Sequence, residues 1–460
     1  MRNLLIIAFL FSHFSTTYAQ VFEVENIKLA GDIDKRINIV ILGDGYQESE
    51  FATFEADAMQ ITNYFFNQSP YSEYAEYFNV YIIKVPSNES GASHPGNASD
   101  EANYDLPISV VDNYFGSSFD NFNIHRALYT PNSSLIYNVL ANNFPEYDLA
   151  LIIVNTDHYG GTGFEFSISS TDPNAAEIAV HEVGHVLVDL EDEYYPGDAW
   201  ANENINMTQE TDPTLVRWKN WLGINGIGIY PYGSSGSAAT WHKPSTYCKM
   251  GFLYADFCSV CKEGTIEKFH SLVSPIDSYS PIETTISNAS FPLEFQLNLI
   301  QTTSNTIEST WSLNNTIIET NVDVISLEGN DLISGTNNLT VVVQDTTSLI
   351  NIDNHNTTHV YTVSWSMDNS LGIENIEANN YSITVSPNPS SDIVNIAMEN
   401  TLEKDTHIEV VSITGKKIKT INITNKDKYQ IDVSSFSTGL YIINFYSNNV
   451  LISSKKLIKK

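Results

Sequence analysis

Apolar residues follow two different spacings along the chain, and the change falls near Pro275. Before that point, short apolar runs alternate with stretches whose apolar residues recur at helical spacing, as in residues 48–66. This alternation predicts an α/β domain, which we place at residues 20–275. The runs predicted to form buried strands are residues 37–46, 78–85 and 148–155.

After Pro275 the chain has the pattern of an all-β protein. Short runs rich in Val, Ile, Thr and Trp recur between turns of Asn, Gly and Asp. The polar stretch that follows the first group of these runs is typical of a linker. We therefore predict a β-sandwich at residues 281–368, a linker at 369–380 and a second β-rich unit at 381–460.

The N-terminal residues have the features of an export signal. Arg2 precedes an apolar stretch from Leu4 to Phe11, and a small-residue site ends at Ala19. Residues 1–19 are therefore predicted to be a signal peptide. No later apolar run reaches the roughly 18 residues that a membrane helix needs, so we expect no integral membrane segment.

The charge of the chain excludes one class of partner. The 460 residues include 55 acidic and 22 basic side chains, which gives a formal net charge of -33. Binding to nucleic acid needs clustered Lys and Arg to displace counterions from the phosphates. We therefore expect no nucleic-acid partner.

The segment 178–195 contains the clearest chemical pattern. His181 and His185 are four residues apart, so a helix would place both rings on one face, where they can share a zinc ion, Zn2+. Glu182 lies beside them and is the predicted general base, acting on water that zinc acidifies. The alternative is an ordinary amphipathic helix with two half-exposed histidines. Gly184 costs a helix about 1 kcal/mol relative to Ala, which indicates that another group approaches closely.

A third metal ligand is expected from the acidic run 191–193. A straight helix would carry Asp192 about 10 Å along the axis from His185, at ~1.5 Å per residue, which is too far for a shared ion. The helix must therefore break near Asp189 and fold a carboxylate back. We favour Asp192, then Glu193, as the third ligand.

Three cysteines lie within 14 residues of one another: Cys248, Cys258 and Cys261. A secreted chain enters an oxidising compartment, so we expect one local disulfide with one thiol left over, and the pairing stays open. The Cys-x-x-Cys pair has no second Cys or His pair at suitable spacing, so a disulfide is favoured over structural zinc. Calcium binding also stays open because the acidic loops could supply ligands, although no EF-hand loop pattern is present.

A glycine-rich segment, residues 159–164, follows a predicted strand and precedes the metal helix by about a dozen residues. Its glycines are typical of an edge segment that another backbone approaches closely. Alignment of a substrate along this segment is our hypothesis.

Several short motifs occur together in the first part of the chain: V-I-L-G-D-G-Y (40–46), Y-G-G-T-G-F (159–164), H-E-V-G-H (181–185), L-E-D-E-Y (190–194), C-K-M (248–250) and F-C-S-V-C (257–261). On these motifs the chain resembles the IgA-peptidase-type metallopeptidases, the igalysin branch of the metzincin clan, over about residues 30–275. The resemblance implies a metzincin-like α/β zincin fold with bound zinc. It also implies that Met250 forms a Met-turn beneath the metal, and that Tyr194 lies near the site as a transition-state donor or a packing residue.

The chain departs from the usual metzincin pattern in one place. That pattern has Gly seven residues after the first His and the third ligand ten residues after it, whereas Val188 and Glu191 stand at those positions here. We therefore expect a different turn. The choice between Asp192 and Glu193 stays open.

The two later modules also resemble known domains. Residues 281–368 are similar to the immunoglobulin-like domain that follows the catalytic domain in this family. The last unit, with S-P-N-P (386–389) and S-I-T-G-K-K (412–417), resembles the C-terminal sorting domain of the type IX secretion system. This resemblance implies the secretion machinery as a partner and a route through the periplasm to the cell surface or the medium.

We predict from these features a secreted zinc endopeptidase that hydrolyses peptide bonds of extracellular proteins. The first alternative is a surface adhesin or glycan-binding protein whose zinc site is structural or vestigial. The second is metal-dependent hydrolysis of a non-peptide bond, because a zinc ion and a base do not by themselves specify an amide.

Overall fold

The structure is a computed structural model that describes residues 21–103, 106–195, 201–287, 289–369, 382–399, 406–423, 428–447 and 450–460. The predicted signal peptide at 1–19 lies outside these residues, as does the predicted linker at 369–380 except for its first residue. The described residues fall into two compact units, one within Met1–Glu328 and Asn338–Ser366 and the other within Gly329–Asn337 and Met367–Lys460. No described helix is long and apolar enough to cross a membrane.

A six-stranded sheet forms the centre of the N-terminal part of the first unit. Its strands are β1 (Glu23–Lys28), β2 (Ile37–Asp44), β3 (Phe78–Lys84), β4 (Leu149–Val154), β5 (Gly161–Gly163) and β6 (Ser167–Ser169). The strand order is β1-β3-β2-β4-β6-β5, with β1 and β5 antiparallel at the two edges and the others parallel. All eight residues of β2 are buried, as expected for a central strand covered on both faces.

Helices cover both faces of this sheet. They are α1 (Phe51–Phe65), α2 (Ser133–Asn143), α3 (Ala175–Val188) and α4 (Ser259–Leu272). Successive side chains of β2 enter two different cores, because a strand points alternate residues to opposite faces. Ile39 packs in one core with Phe54 of α1 and Val180 of α3. Val40 packs in the other core with Ile136 of α2.

Short elements fill the connections. Strands β7 (Tyr230–Pro231) and β8 (His242–Lys243) pair in the segment between α3 and α4. Short 3-10 helices span Ile33–Lys35, Glu48–Glu50, Ala75–Tyr77, Glu101–Asn103, Asn121–Asn123, Lys219–Trp221, Gly236–Thr240 and Gly329–Asp331.

Two antiparallel sheets follow α4. Their elements are β9 (Ile276–Ser280), β10 (Thr285–Ile286), β11 (Leu293–Leu299), β12 (Ile307–Leu313), β13 (Thr316–Thr320), β14 (Val324–Leu327), β15 (Gly335–Asp345), α5 (His355–Thr358) and β16 (Val360–Asn369). The strand orders are β10-β16-β15-β12-β13 and β14-β11-β9. Trp365 of the first sheet packs on Phe295 of the second with ring centroids 5.1 Å apart, so the sheets share a core. The immunoglobulin-like assignment of residues 281–368 stays a prediction.

A buried hydrogen-bond network joins these sheets to the N-terminal part within the same unit. Asp345, the last residue of β15, accepts hydrogen bonds from the Tyr74 hydroxyl, from His270 Nε2 at 3.0 Å and from the Thr306 hydroxyl at 2.7 Å. Burial alone would raise the pKa of Asp345, but these hydrogen bonds outweigh it and lower the pKa. The folded state therefore favours the ionised carboxylate.

The second unit consists mainly of two small antiparallel sheets. Their strands are β17 (Ser382–Ser386), β18 (Ile393–Glu399), β19 (Thr406–Ser412), β20 (Lys417–Ile423), β21 (Lys428–Asp432), β22 (Gly439–Ser447) and β23 (Val450–Lys459). The strand orders are β17-β18-β21 and β20-β19-β22-β23. Buried side chains such as Val394, Ile408 and Phe445 form one shared core. The multidomain, β-rich organisation predicted from the sequence is thereby confirmed, whereas the metzincin-like catalytic fold stays a prediction.

Candidate metal centre and active site

Helix α3 carries the H-E-x-x-H segment and ends immediately after it. Its C-cap, Asp189, takes the left-handed backbone conformation with φ 59° and ψ 36°, which Asp tolerates better than most residues. The amide of Asp189 donates to the carbonyl of His185, and the amide of Leu190 donates to the carbonyl of Gly184, both at 3.0 Å. The chain therefore turns where the distance argument requires a break.

Backbone carbonyls orient the two histidine rings. Nδ1 of His181 lies 3.0 Å from the Lys249 carbonyl, and Nδ1 of His185 lies 2.5 Å from the Leu190 carbonyl. Because a carbonyl can only accept, each Nδ1 carries the proton and each Nε2 keeps a free lone pair. The two Nε2 atoms face each other at 3.2 Å.

The turn after Asp189 brings Asp192 to this histidine pair. Oδ1 of Asp192 lies 3.1 Å from Nε2 of His181 and 3.3 Å from Nε2 of His185. The structure does not bring Glu193 to the pair, because its carboxylate turns towards the three cysteines. The predicted residues His181, His185 and Asp192 therefore converge, and Glu193 lies in a different cluster.

The electrostatics of the three groups favour positive charge between them. Burial lowers the pKa of His185, but the hydrogen bond and charge of Asp192 outweigh it and raise the pKa to about 9. Burial raises the pKa of Asp192, but the two histidines outweigh it and hold that pKa below its usual value. Protons on the two histidines, or one metal cation bound between the three side chains, would each supply this positive charge.

The spacing and chemistry of these donors fit a zinc ion. A tetrahedral ion with ligand bonds of about 2.0–2.1 Å holds neighbouring N and O ligands about 3.3 Å apart. The three separations described above, 3.1, 3.2 and 3.3 Å, agree with that value. Two neutral imidazoles and one carboxylate are also the kind of three-ligand set found in catalytic zinc sites, which keep one position open.

Glu182 lies beside the histidine pair, at a point where β5 passes close to α3. A Cβ added to Gly163 of β5 would lie 2.5 Å from Oε2 of Glu182, so glycine is required for this approach. Burial raises the pKa of Glu182 above its usual value, against the opposing effect of the two histidines. A raised pKa suits a carboxylate that takes up and releases a proton near neutral pH.

Two adjoining cavities, of about 200 and 280 Å³, meet at His181 and Glu182, and His185 lines the larger one. Both are also lined by Arg126, Gly161 and Tyr194, so they form one continuous cleft. The larger cavity has an apolar wall made of Phe122, Ile124 and Phe164. Glu182 therefore lines both parts of the cleft.

Tyr194 reaches the edge of the metal centre. Burial and the charge of Asp192 raise the pKa of its hydroxyl to about 12, although Arg126 acts in the opposite direction. Arg126 and Asp192 both lie near enough to the Tyr194 side chain to influence this pKa. The hydroxyl therefore stays protonated at neutral pH and can donate a hydrogen bond.

Met250 packs beneath α3 and is fully buried. A Cβ added to Gly184 would lie 2.9 Å from its Sδ atom, so Met250 is the group whose close approach explains this helical glycine. The carbonyl of Met250 accepts a hydrogen bond from the amide of Glu193 at 2.7 Å, which links this segment to the acidic turn. Its role as a Met-turn stays a prediction.

The three cysteines are free thiols in the structure, so the expected local disulfide is absent there. Sγ of Cys261 lies 3.7 Å from Sγ of Cys248 and 3.6 Å from Sγ of Cys258, far beyond the ~2.05 Å of a disulfide bond. Glu193 joins these three residues, and we call the four the cysteine cluster.

A second group of buried polar residues fixes the loop that carries the apolar wall of the cleft. Nδ1 of His125 lies 3.1 Å from the carboxylate of Asp120 and 3.0 Å from that of Glu101, and Nε2 of His94 lies 2.9 Å from Glu101. Phe122 lies between Asp120 and His125, the two residues of this loop that these contacts hold in place. Sequence reasoning missed this group because its members come from separate loops without a common spacing.

Sequence reasoning also missed Arg126, which lines both cavities. It lies 55 residues before the first histidine of the metal helix, within no recognisable motif. Only the fold brings it to the cleft. A basic side chain in a strongly acidic chain is the single signal that could have drawn attention to it.

Comparisons with known proteins agree with the sequence resemblance. Residues 26–235 match the family described as IgA Peptidase M64, and residues 384–460 match the family described as secretion system C-terminal sorting domain. The first of these matches supports a protein of the peptidase class. The two matches support an IgA-peptidase-type protein with a C-terminal sorting domain of the type IX secretion system. That sorting domain directs the chain to the cell surface or the medium.

Other comparisons add little. No curated protein sequence matches the chain. Among solved structures, dimeric latent PorU from Porphyromonas gingivalis is 13% identical with a TM-score of 0.15, and the match covers 40% of this chain and 20% of PorU. The chicken CNTN1 FN1–FN3 domains are 8% identical with a TM-score of 0.15, and the match covers 41% of this chain and 68% of that one. TM-scores this low support no conclusion about the fold.

Proposed function

We propose that the chain is a secreted zinc endopeptidase that hydrolyses peptide bonds of extracellular proteins. The observation that carries the proposal is the convergence of His181, His185 and Asp192 at tetrahedral spacing, with Glu182 beside them in an open cleft. Membership of a peptidase family and an export domain support it.

Nε2 of His181, Nε2 of His185 and Oδ1 of Asp192 would hold the zinc ion. Bound zinc supplies Lewis acidity, which polarises a substrate carbonyl and makes water acidic enough to react near neutral pH. The carbonyls of Lys249 and Leu190 keep the rings in place, and such supporting bonds are worth about 10–100-fold in metal affinity.

Glu182 is the proposed general base. It removes a proton from the attacking water and later gives that proton to the departing amine. Arg126 and the protonated hydroxyl of Tyr194 line the same cavity and can donate hydrogen bonds to the oxygen that becomes negative as the carbonyl is attacked. These donors act on the transition state more strongly than on the bound peptide.

The edge strand β5 is the proposed binding platform for the peptide. It is the last strand of its sheet, and the amide of Gly161 on its outer edge already donates to the carbonyl of Arg126. An extended substrate would therefore pair with the outward backbone groups of β5 that remain. Glu182 lines both parts of a two-part cleft, and room for residues beyond the cleaved bond suits cleavage within a chain rather than at its end. Phe122 and Phe164, with ring centroids 5.1 Å apart, favour a large apolar substrate side chain.

The test compares Glu182→Gln with Glu165→Gln in the full secreted chain. Glu165 is exposed and lies outside both cavities, so its variant controls for the loss of one carboxylate. We expect Glu182→Gln to keep zinc and lose about 10²–10⁴-fold in kcat, and Glu165→Gln to retain both. Unchanged proteolysis by Glu182→Gln would contradict the proposal and favour an adhesin or glycan-binding role.

Removal of the metal provides a second test. Chelation should abolish proteolysis, and stoichiometric zinc should restore it. Asp192→Asn should lower zinc affinity at this centre, whereas Asp189→Asn should not, because Asn also accepts the left-handed backbone and the Asp189 side chain is exposed. Activity that survives chelation, or hydrolysis of esters or glycosides without peptide cleavage, would contradict the peptidase mechanism.

A further inference from the structure

The cysteine cluster is a second place where potential metal ligands converge. One ligand atom from each of Glu193, Cys248, Cys258 and Cys261 lies within 4.8 Å of the others, and all four residues are buried. The four residues come from three separate segments. They are the acidic turn after α3, the segment that carries Met250, and the start of α4.

The distances in the cluster match tetrahedral coordination. Zinc–sulfur bonds of about 2.3 Å hold two sulfurs about 3.8 Å apart, and hold a sulfur and a carboxylate oxygen about 3.5 Å apart. Sγ of Cys261 lies 3.7 Å from Cys248, 3.6 Å from Cys258 and 3.4 Å from Oε1 of Glu193. Oε1 of Glu193 lies 4.0 Å from Sγ of Cys258.

An ionised Glu193 carboxylate would need a positive partner, and no described basic side chain forms an ion pair with it. Apart from its contacts with Sγ of Cys258 and Cys261, Oε1 accepts a hydrogen bond from the side-chain amide of Asn206 at 3.1 Å. Oε2 is buried and has no hydrogen-bond partner among the described residues. An ionised carboxylate is costly to bury in this state, and a coordinated cation removes that cost.

The start of α4 favours anionic sulfur. Cys258 is the N-cap of α4, so Cys258 and Cys261 lie at the positive end of the helix dipole. The amide of Cys258 also points at Sγ of Cys248, 3.3 Å away. Thiolates with one carboxylate form a soft ligand set, which selects zinc over calcium or magnesium.

We propose that Glu193, Cys248, Cys258 and Cys261 bind a second, structural zinc ion. This ion ties the acidic turn and the segment of Met250 to the start of α4. Because Glu193 follows Asp192 directly, the ion also fixes Asp192 against the histidine pair. This positioning role rests on the proposed function, whereas zinc binding by the cysteine cluster does not.

The first test needs no substitution. Metal analysis of the full secreted chain should give two zinc ions per chain. Cobalt in place of zinc should produce sulfur-to-cobalt charge-transfer absorption. Denaturation with a chelator should release three reactive thiols per chain. One zinc ion with one reactive thiol would overturn the proposal in favour of a disulfide, and three thiols without sulfur-to-cobalt absorption would overturn it as well.

Variants separate the two centres. His181→Ala/His185→Ala should keep one zinc ion and the sulfur-to-cobalt absorption, and Glu193→Gln should weaken the second ion about 10–100-fold while Glu165→Gln leaves it unchanged. If the proposed peptidase function fails, proteolysis is absent but the cobalt spectrum persists. If the second site fails, His181→Ala/His185→Ala binds no zinc.

A separate measurement tests whether the second ion positions Asp192. Glu193→Gln should lower the affinity of the catalytic centre for zinc, measured by competition with a chelator, and added zinc should restore kcat. Glu193→Asp, which keeps the carboxylate, should recover part of the lost affinity. Loss of kcat that excess zinc does not restore would contradict the positioning role.

Discussion

Replacing Gly184 with Ala should change the stability of the fold in two opposite ways, through helix propensity and through packing. In an unobstructed helix this change stabilises by about 1 kcal/mol. Here the new Cβ would lie 2.9 Å from Sδ of Met250 and 3.4 Å from Cδ1 of Leu190. Met250 is fully buried, so it can yield only by disturbing its neighbours, and such overpacking costs about 1–3 kcal/mol. We therefore expect Gly184→Ala to lower the free energy of unfolding by about 1 kcal/mol.

Gly184→Ala should instead stabilise the fold when it is made in a chain that lacks the sulfur of Met250. Met250→Ala alone should cost about 2–5 kcal/mol, because it leaves a cavity under α3. In that background Gly184→Ala no longer meets Sδ, and its helix propensity should stabilise by about 1 kcal/mol. The two effects of Gly184→Ala then differ by about 2 kcal/mol, which is the coupling energy of the pair.

Scanning calorimetry of the full chain measures both effects. All variants should also carry Glu182→Gln, to prevent self-digestion, and should be compared at equal zinc concentration. For the transition that responds to zinc removal, about 1 kcal/mol corresponds to ~2–4 °C in Tm. Gly184→Ala should lower Tm when Met250 is present and raise it in Met250→Ala. An increase in both backgrounds would refute the contact between Gly184 and Met250.

Three other positions give independent predictions. Gly163→Ala should lower kcat about 10²-fold at unchanged zinc content, because its methyl group would lie 2.5 Å from Oε2 of Glu182. Phe122→Ala should raise KM about 10-fold for peptides with a large apolar side chain at the cleavage site, because it removes part of the apolar wall. Asp345→Asn should destabilise the fold by about 3 kcal/mol near neutral pH, because it leaves buried donors without an ionised partner. Folding lowers the pKa of Asp345, so its carboxylate stabilises the fold at pH values above its unfolded pKa of about 3.9. This contribution is lost as the pH falls through the folded pKa. The stability difference between Asp345→Asn and the parent chain should therefore shrink in acid.

Steady-state kinetics and acid-dependent unfolding check these outcomes. A Gly163→Ala chain with full kcat would show that β5 does not constrain the base. Equal effects of Phe122→Ala on small and large apolar substrates would contradict a selective wall. A deficit of Asp345→Asn that does not change with pH would mean that the carboxylate is not ionised in the folded state.

The sequence alone predicted the motif that brings two histidines together and favoured Asp192 over Glu193 as the third partner, but it left that choice open. The usual metzincin pattern separates its Gly and its third ligand by three residues. Here the left-handed residue is Asp189, and Asp192 follows it by the same three residues. The helix is thus one residue longer than in the usual pattern. No glycine marks the turn, and therefore the sequence could not decide between Asp192 and Glu193.

The cysteine cluster could not be predicted from the sequence, for a different reason. Cys258 and Cys261 have the spacing of a metal-binding pair, but their two partners do not form another such pair. Glu193 lies 55 residues before Cys248 and looks like one more charge in an acidic run. The packing of α4 against α3 brings these segments together, and local spacing does not encode that packing.

The most direct test of the account is the anomalous diffraction signal of zinc from crystals of the full secreted chain. We predict a zinc peak about 2.0–2.2 Å from Nε2 of His181, Nε2 of His185 and a carboxylate oxygen of Asp192. The carboxylate of Glu182 should lie beside this peak without coordinating it. Absence of zinc from the histidine pair, or coordination by Glu193 in place of Asp192, would contradict the account.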